Sequence, residues 1–372
     1  GAIESMWLRE GLDEYDLSEQ NMATCHGFEA GINDGGSDFI AAAYLTRVSG
    51  PVTEASDPYS PSSNYCSKDG LVIPYYVPKV YWLPKDINVV KKGIYEYGAV
   101  TASINTGGNL MFYYYDDIDN TFYYNGTNPV DHGVLIVGWD DNKVANGGPY
   151  ASPPGPGAWI VKNSWGTNWG DDGYFYVSYY DTRFMSSVSL FPERLEKSDI
   201  QNLYMYDQLG ATTSYGFRNE TAYGLTKFEA ATGNFVRKIG TFVNASGSMI
   251  DIEIYDDFDG EVLSGLIASS YDNIIKYPGY HTFDIPAVVN GDYYVKIKYF
   301  TPDYNYPVPA ETNITFEGEE YAVPEIELSG RNFISRDGID WDSLGNDIEN
   351  SEADLCIRAY ADEAITLNSF FT

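Results

Sequence analysis

The 372-residue chain is 44% hydrophobic and 16% aromatic, which suits a globular protein, and its length suits two domains at roughly 100 to 200 residues each. Its 22 Lys and Arg against 54 Asp and Glu leave a net charge of −32, spread over both halves: 12 basic and 25 acidic residues up to Ser198, 10 and 29 beyond it. Such a field repels nucleic acid and anionic membrane surfaces, and the longest apolar runs, such as GVLIVGW at 133–139, fall far short of the roughly 20 residues a membrane helix needs.

The chain opens GAIESMWLRE, where Ile3, Met6 and Trp7 share one helical face with no capping residue ahead of them. The pattern reads as a helix entered part-way, with no signal peptide. Further helices are expected over 38–47 and 88–97, and β-rich segments from Val100 to Tyr180. Near residue 195 the texture changes. The charged stretch Glu193–Asn202 has no apolar periodicity and reads as a linker. Short alternating strands follow it, in FVRKIGTFVNA, MIDIEIYDDFDGE and YHTFDIPAVVNGDYYVKIKYF, with turn signals at Asp259-Gly260 and Asn290-Gly291. This is the pattern of an antiparallel β-sandwich. The boundaries expected are 1–195 for the first domain and 203–362 for the second, with 363–372 a tail or the start of a further segment. Sequons at Asn125, Asn219, Asn244 and Asn313 lean towards export.

Chemistry is concentrated in two places. His132, in VDHGVLIVGWDD, stands at the mouth of an apolar strand, and alone such a His is more often structural than functional. Asn163 ends another apolar strand, Trp159–Val161, and is followed by Ser-Trp-Gly. An amide oxygen there can accept the ring N–H of His132, fix its tautomer and leave the other ring nitrogen free to take a thiol proton. Trp165 would cover that hydrogen bond from water.

DHGVLIVGW and KNSWGTNWGDDGYF resemble the His and Asn motifs of the papain family of cysteine peptidases, and DLSEQNMATC with GINDGGSDF resembles the segment between nucleophile and substrate groove. The resemblance spans about residues 1 to 180, interrupted by a Pro/Gly-rich insertion, NGGPYASPPGPG, which should reshape the primed-side rim. It implies an α+β papain-like fold, a helical part plus a β-barrel-like part. It also implies catalytic roles for His132 and Asn163, support from Trp165, and peptide binding through Gly35 and Gly36, where absent side chains let an extended substrate lie close. Ser103 and Val130 match positions lining the pocket for the residue two before the cleaved bond. Cys25 and Cys66 match a structural disulfide, closing a loop of about 40 residues and contributing about 3–4 kcal/mol. Cys356 reads as a core residue of the second half.

None of these cysteines matches the family's nucleophile. That residue starts the long central helix, whose N-terminal dipole and a neighbouring imidazolium lower its pKa, and GAIES matches that helix's second and third turns. By this register the nucleophile is expected about seven residues before Gly1, roughly 140 residues ahead of His132, together with the Gln that supplies an oxyanion donor. The 372 residues alone are therefore expected to be inactive.

YDQLG, YPGYHTFDIP, GDYYVKIKYF, SRDGIDWDSLG and DLCIRAY resemble the lectin-like domain that follows the papain domain in surface-associated cysteine peptidases of clostridia and archaea. This implies an all-β sandwich for docking to cell-wall or surface carbohydrate, with aromatics in NLYMYDQLG or TPDYNYP as candidates for stacking on sugars. No cofactor or metal is expected: calcium occurs in some relatives, but Asp256, Asp257 and Asp259 lack the spacing of a calcium loop. The expectation is an exported, surface-held cysteine endopeptidase acting on protein or peptide substrates. The alternative is a non-catalytic surface or carbohydrate-binding protein that keeps the papain-like half as a scaffold.

Overall fold

The structure, a computed structural model, describes residues 1–362 except Tyr150, Glu317 and Asn350; the expected terminal segment 363–372 lies outside the described residues. The chain forms two compact units, one of Gly1–Tyr15 with Tyr81–Pro192, the other of Asp16–Val80 with the chain from Glu193 onward. Compactness thus divides the molecule elsewhere than sequence texture does, because residues 16–80 cluster with the β-rich second half.

In the first unit the helix Ala2–Arg9 buries Ala2, Ile3, Met6 and Trp7, the face its periodicity marks. The helix Ile87–Tyr97 starts at Asp86, whose carboxylate accepts from the backbone N–H groups of Asn88 and Val89, both at 2.9 Å, and stops at Gly98 with φ 101°. The sheet is mostly antiparallel. Strand Val100–Ile104 pairs with His132–Asp140 in the register Ile104↔His132 and Val100↔Ile136. That strand pairs with Ala158–Lys162, which pairs with Tyr174–Ser178. Within the Pro/Gly-rich insertion Gly147 and Gly148 are packed tightly: a Cβ on either would fall within 2.8 Å of backbone oxygens of residues 112–114 and 123.

In the second unit the helix Asp38–Thr46 is capped by Ser37, whose hydroxyl accepts from Ile40 N–H at 3.3 Å. The strands beyond residue 200 pair with one another antiparallel among the described residues. One sheet runs Asn202–Tyr204, Ile357–Asp362, Thr232–Val243, Gly279–Asn290. A six-stranded sheet runs Leu263–Ile274, Met249–Phe258, Tyr293–Phe300, Thr221–Phe228, Asn332–Ser335, Asp342–Leu344. Val236, Ile239, Ile252, Val295, Ile297, Ile357 and others fill the core of the sandwich. The expected turns stand at Gly260 and Gly291, with φ 102° and 130°, conformations that favour glycine. The expected linker is ordered: Leu195–Glu196 pairs with Tyr75–Tyr76, and Glu193 lies 2.5 Å from Lys79 and 3.8 Å from Lys238. Its charges are partners for lysines, which is why it shows no apolar period.

No helix among the described residues is long and apolar enough to cross a membrane.

Candidate active site

The strand His132–Asp140 opens on His132, and the strand Ala158–Lys162 ends one residue before Asn163. The register Leu135↔Lys162 sets the two residues beside one another at the same end of the sheet. Asn163 is held by its own backbone, whose N–H donates to Gly173 O at 2.9 Å, and its side chain is nearly buried. His132 Nε2 lies 2.8 Å from Asn163 Oδ1.

The hydrogen bonds settle the chemistry of that contact. Asn163 Oδ1 also accepts the Ser164 backbone N–H at 2.8 Å, so the amide atom facing the imidazole is the oxygen. Nε2 must then carry the proton and donate it, and Nδ1 is left with a lone pair. The pair is an oriented base with its free nitrogen turned away from the asparagine. Asn163 adds no charge; it fixes tautomer and ring plane.

Trp165 stacks on the His132 ring at 5.2 Å between centroids and 29° between planes. Its indole remains 42% exposed, so it shields one ring face while forming surface itself. Trp165 meets Trp169 edge-on at 4.9 Å, and Trp169 meets Phe175 at 5.0 Å and stacks on Tyr115 at 5.1 Å. Burial, then the charges of Asp117 and Asp116, push the Tyr115 phenol up to about 12, so it stays protonated and donates to Asn120 Oδ1 at 2.8 Å. Behind the pair the cavity lined by Ile104, Phe122, His132, Asn163 and Trp169 measures about 10 Å³, at most the room of one water.

Sequence reasoning missed the residues that hold His132 in place. Asp131 accepts from Thr106 N–H at 2.8 Å and Thr106 Oγ1–H at 3.1 Å, and its own N–H donates to Ile104 O at 3.0 Å. Buried Asn105 accepts from Gly107 N–H at 2.9 Å and donates to Pro129 O. The signal was present in the Asn-Thr-Gly-Gly turn and the Asp beside the His, but both read locally as turn residues.

The other expected site residues divide between the units. Ser103 and Val130 are in the first, half-buried. Ser103 pairs with Gly133 in the ladder, and its hydroxyl accepts from Ser187 N–H at 2.9 Å. Gly35 and Gly36 are in the second unit, exposed, with nothing within 4 Å of a Cβ on either, and Gly35 has φ 84°. Cys25 and Cys66, also in the second unit, form a disulfide, and Cys356 is free and buried. Of the candidate sugar-stacking aromatics, Tyr204 and Tyr206 pack against the sandwich core, whereas Tyr304 and Tyr306 are 37% and 42% exposed. Asp259 spends one carboxylate oxygen on Glu261 and Val262 N–H, at 2.9 and 2.8 Å, closing a turn. Among the described residues no group of three His, Cys, Asp or Glu side chains is placed to hold a metal.

A model of the papain family of cysteine proteases matches residues 1–189, and one of a lectin-like domain matches residues 203–361. Viral cathepsin of Heliothis zea nuclear polyhedrosis virus is 30% identical over 178 residues, 48% of this chain and 44% of that protein. Procathepsin L of Felis catus is 30% identical over 193 residues, 48% of this chain and 52% of its own. The chain spans about half the length of the curated relatives it matches. Among solved structures, the clostridial cysteine protease Cwp84 after propeptide cleavage aligns over 97% of this chain and 92% of its own, with a TM-score of 0.81 at 21% identity. A structure of the cysteine protease and lectin-like domains of Cwp84, a surface layer associated protein of Clostridium difficile, aligns with a TM-score of 0.79 at 21% identity over 97% and 82%. At that identity the likeness is one of fold.

Proposed function

The chain belongs to the papain family of cysteine proteases, with a lectin-like domain behind the protease domain, and from this premise we propose that it is the larger part of a surface-associated endopeptidase whose base is His132. The observation that carries the reading is the 2.8 Å contact between His132 Nε2 and an Asn163 oxygen whose identity is fixed by Ser164. In the proposed reaction His132 Nδ1 takes the proton of a cysteine thiol, and the thiolate adds to the peptide carbonyl. The C–N bond breaks as the imidazolium returns its proton to the leaving amine. Water, deprotonated by His132, then releases the acid and restores the thiol.

The thiol in this proposal comes from residues ahead of Gly1. A Cβ on Gly1 would lie 3.2 Å from a Leu135 methyl, and Ser5 Oγ accepts from Ala99 N–H at 3.0 Å, beside the Val100↔Ile136 pair. The helix Ala2–Arg9 therefore runs alongside the strand His132–Asp140 in the same direction. Seven more helical residues would extend it back about 10 Å, and the three strand residues from Leu135 to His132 also span about 10 Å. A cysteine at that register would meet the imidazole at the helix N-terminus, where the dipole favours a thiolate. Cys25 and Cys66 are spent in their disulfide, and Cys356 is buried with its thiol pushed well up by burial and by Asp207, the reverse of an activated nucleophile.

We place Ser103, Val130, Gly35 and Gly36 at substrate-binding positions, and we propose carbohydrate docking for the lectin-like domain and a secreted or cell-surface destination. The alignment with a surface layer associated protein supports the destination. The test is peptide hydrolysis by the natural protein including the residues ahead of Gly1, compared with its His132→Ala variant. Loss of activity in the variant supports the reading. Equal activity refutes it, and an inert natural protein points to a non-catalytic binder.

A further inference from the structure

The sheet containing Thr232–Val243 and Gly279–Asn290 carries a cleft on the face opposite the sandwich core. Along the second strand Ile285, Ala287 and Val289 point into the core, so Asp284, Pro286 and Val288 point out. Phe235, Arg237 and Lys238 line the cleft from the first strand, and Leu195, Asp199 and Ile200 close it from above. Its volume is about 430 Å³, the size of a small-ligand site.

The lining is divided by chemistry. Phe235 and Pro286 form an apolar floor on the sheet, and Leu195 and Ile200 add an apolar wall above it. Round it stands a rim of alternating donors and acceptors. Arg237 Nε donates to Asp362 Oδ2 at 2.7 Å, and its guanidinium lies 5.5 Å from the Phe235 ring centre. Lys238 Nζ donates to Asp284 Oδ1 at 2.5 Å, and the Asp284 side chain is 80% exposed. Asp199 is exposed at the rim, and Glu193 lies 3.8 Å from Lys238. Lys79 lies 2.5 Å from Glu193, so three cations face four carboxylates, and no surplus of positive charge recruits an anion.

We infer that this cleft holds one neutral hexose or N-acetylhexosamine unit of a polysaccharide. A pyranose presents a C–H face, which suits the apolar floor, and an equatorial ring of hydroxyls that each donate and accept, which suits a rim of ion pairs. Uronate or phosphate polymers are disfavoured there by the local excess of carboxylate and by the net charge of −32. The inference rests on the lectin-like domain being a carbohydrate-docking module, and it names which face docks and what class of sugar.

The test is saturation-transfer NMR on the whole 372-residue protein with three probes: the β-1,4 trimers of N-acetylglucosamine and of glucose, and the trimer of galacturonate. At least one neutral trimer should receive saturation, the galacturonate trimer should not, and Phe235→Ala should weaken the signal at least tenfold in apparent affinity. Asp284→Ala changes an exposed side chain and should weaken it likewise with an unchanged unfolding midpoint, which separates lost recognition from lost folding. Neutral sugar bound equally by wild type and both variants overturns the cleft while leaving carbohydrate docking standing. Stronger binding of the galacturonate trimer overturns the charge argument and the sugar class. Binding of neither neutral trimer removes the site for both sugars named.

Discussion

Replacing Glu311 by Gln should change how stability depends on pH. Glu311 is fully buried at the end of strand Val308–Glu311; Oε2 accepts from Gln208 N–H at 3.0 Å and Oε1 from Leu209 N–H. Burial, then the charges of Asp207 and Asp354, push its carboxyl from 4.5 up to about 8, against the pull of the two backbone N–H groups. A raised folded-state pKa means that the native protein holds a proton which the unfolded chain has released. The stabilisation is complete below pH 4.5 and is lost as pH rises through about 8. The shift of about 3.5 units corresponds to at most about 5 kcal/mol at 1.36 kcal/mol per unit. Asp354, pushed up to about 7 by burial first, contributes with the same sign. Buried His281, pushed down to about 4 by burial, opposes both below pH 6.5, so the informative quantity is wild type minus variant. Urea unfolding at pH 5 and pH 8.5 provides it. Glu311→Gln should cost about 1 kcal/mol at pH 5 through an altered hydrogen bond and stabilise by a few kcal/mol at pH 8.5. A difference that does not change sign between the two pH values refutes the assignment of a proton to Glu311.

Arg358→Ala should destabilise by about 3–5 kcal/mol in the same assay, because it strands buried Asp207. The guanidinium donates to both Asp207 carboxylate oxygens at 2.8–3.0 Å and to Thr46 Oγ1 at 2.8 Å. A loss below 1 kcal/mol would mean that the pair is not carrying its charge. In the natural protein, Asn163→Ala should lower kcat/KM about 100-fold with a smaller effect on KM, since it frees ring and tautomer rather than removing the base. An effect confined to KM would make Asn163 a substrate contact. Thiol titration of the unreduced, denatured chain should find one thiol, Cys356, and Cys25→Ser with Cys66→Ser should cost about 3–4 kcal/mol. Three thiols would remove the disulfide.

What was legible in the sequence follows the range of the interactions. The face of Ile3, Met6 and Trp7, the turns at Gly260 and Gly291, and the apolar strands that deliver His132 and Asn163 are local patterns, and they were readable. The network round Arg358 was not: its partners Asp207 and Thr46 lie 151 and 312 residues away, and a lone Arg in DLCIRAY carries no sign of what it meets. Residues 193–202 do fall between the two matched domains, but the order that Lys79 and Lys238 give Glu193 there is a long-range contact the sequence does not display. Asp131 was in plain view beside His132, yet its work is done on Thr106, across the strand pair.

The most direct test of a papain-family hydrolase using His132 is to map a thiol-directed epoxide inhibitor by mass spectrometry. The chain carrying the segment proposed ahead of Gly1 is compared with residues 1–372 alone. The account predicts one label, on a cysteine about seven residues ahead of Gly1, lost in His132→Ala, and no label within residues 1–372. Label on Cys25, with peptide hydrolysis by residues 1–372 abolished in Cys25→Ala, would contradict it.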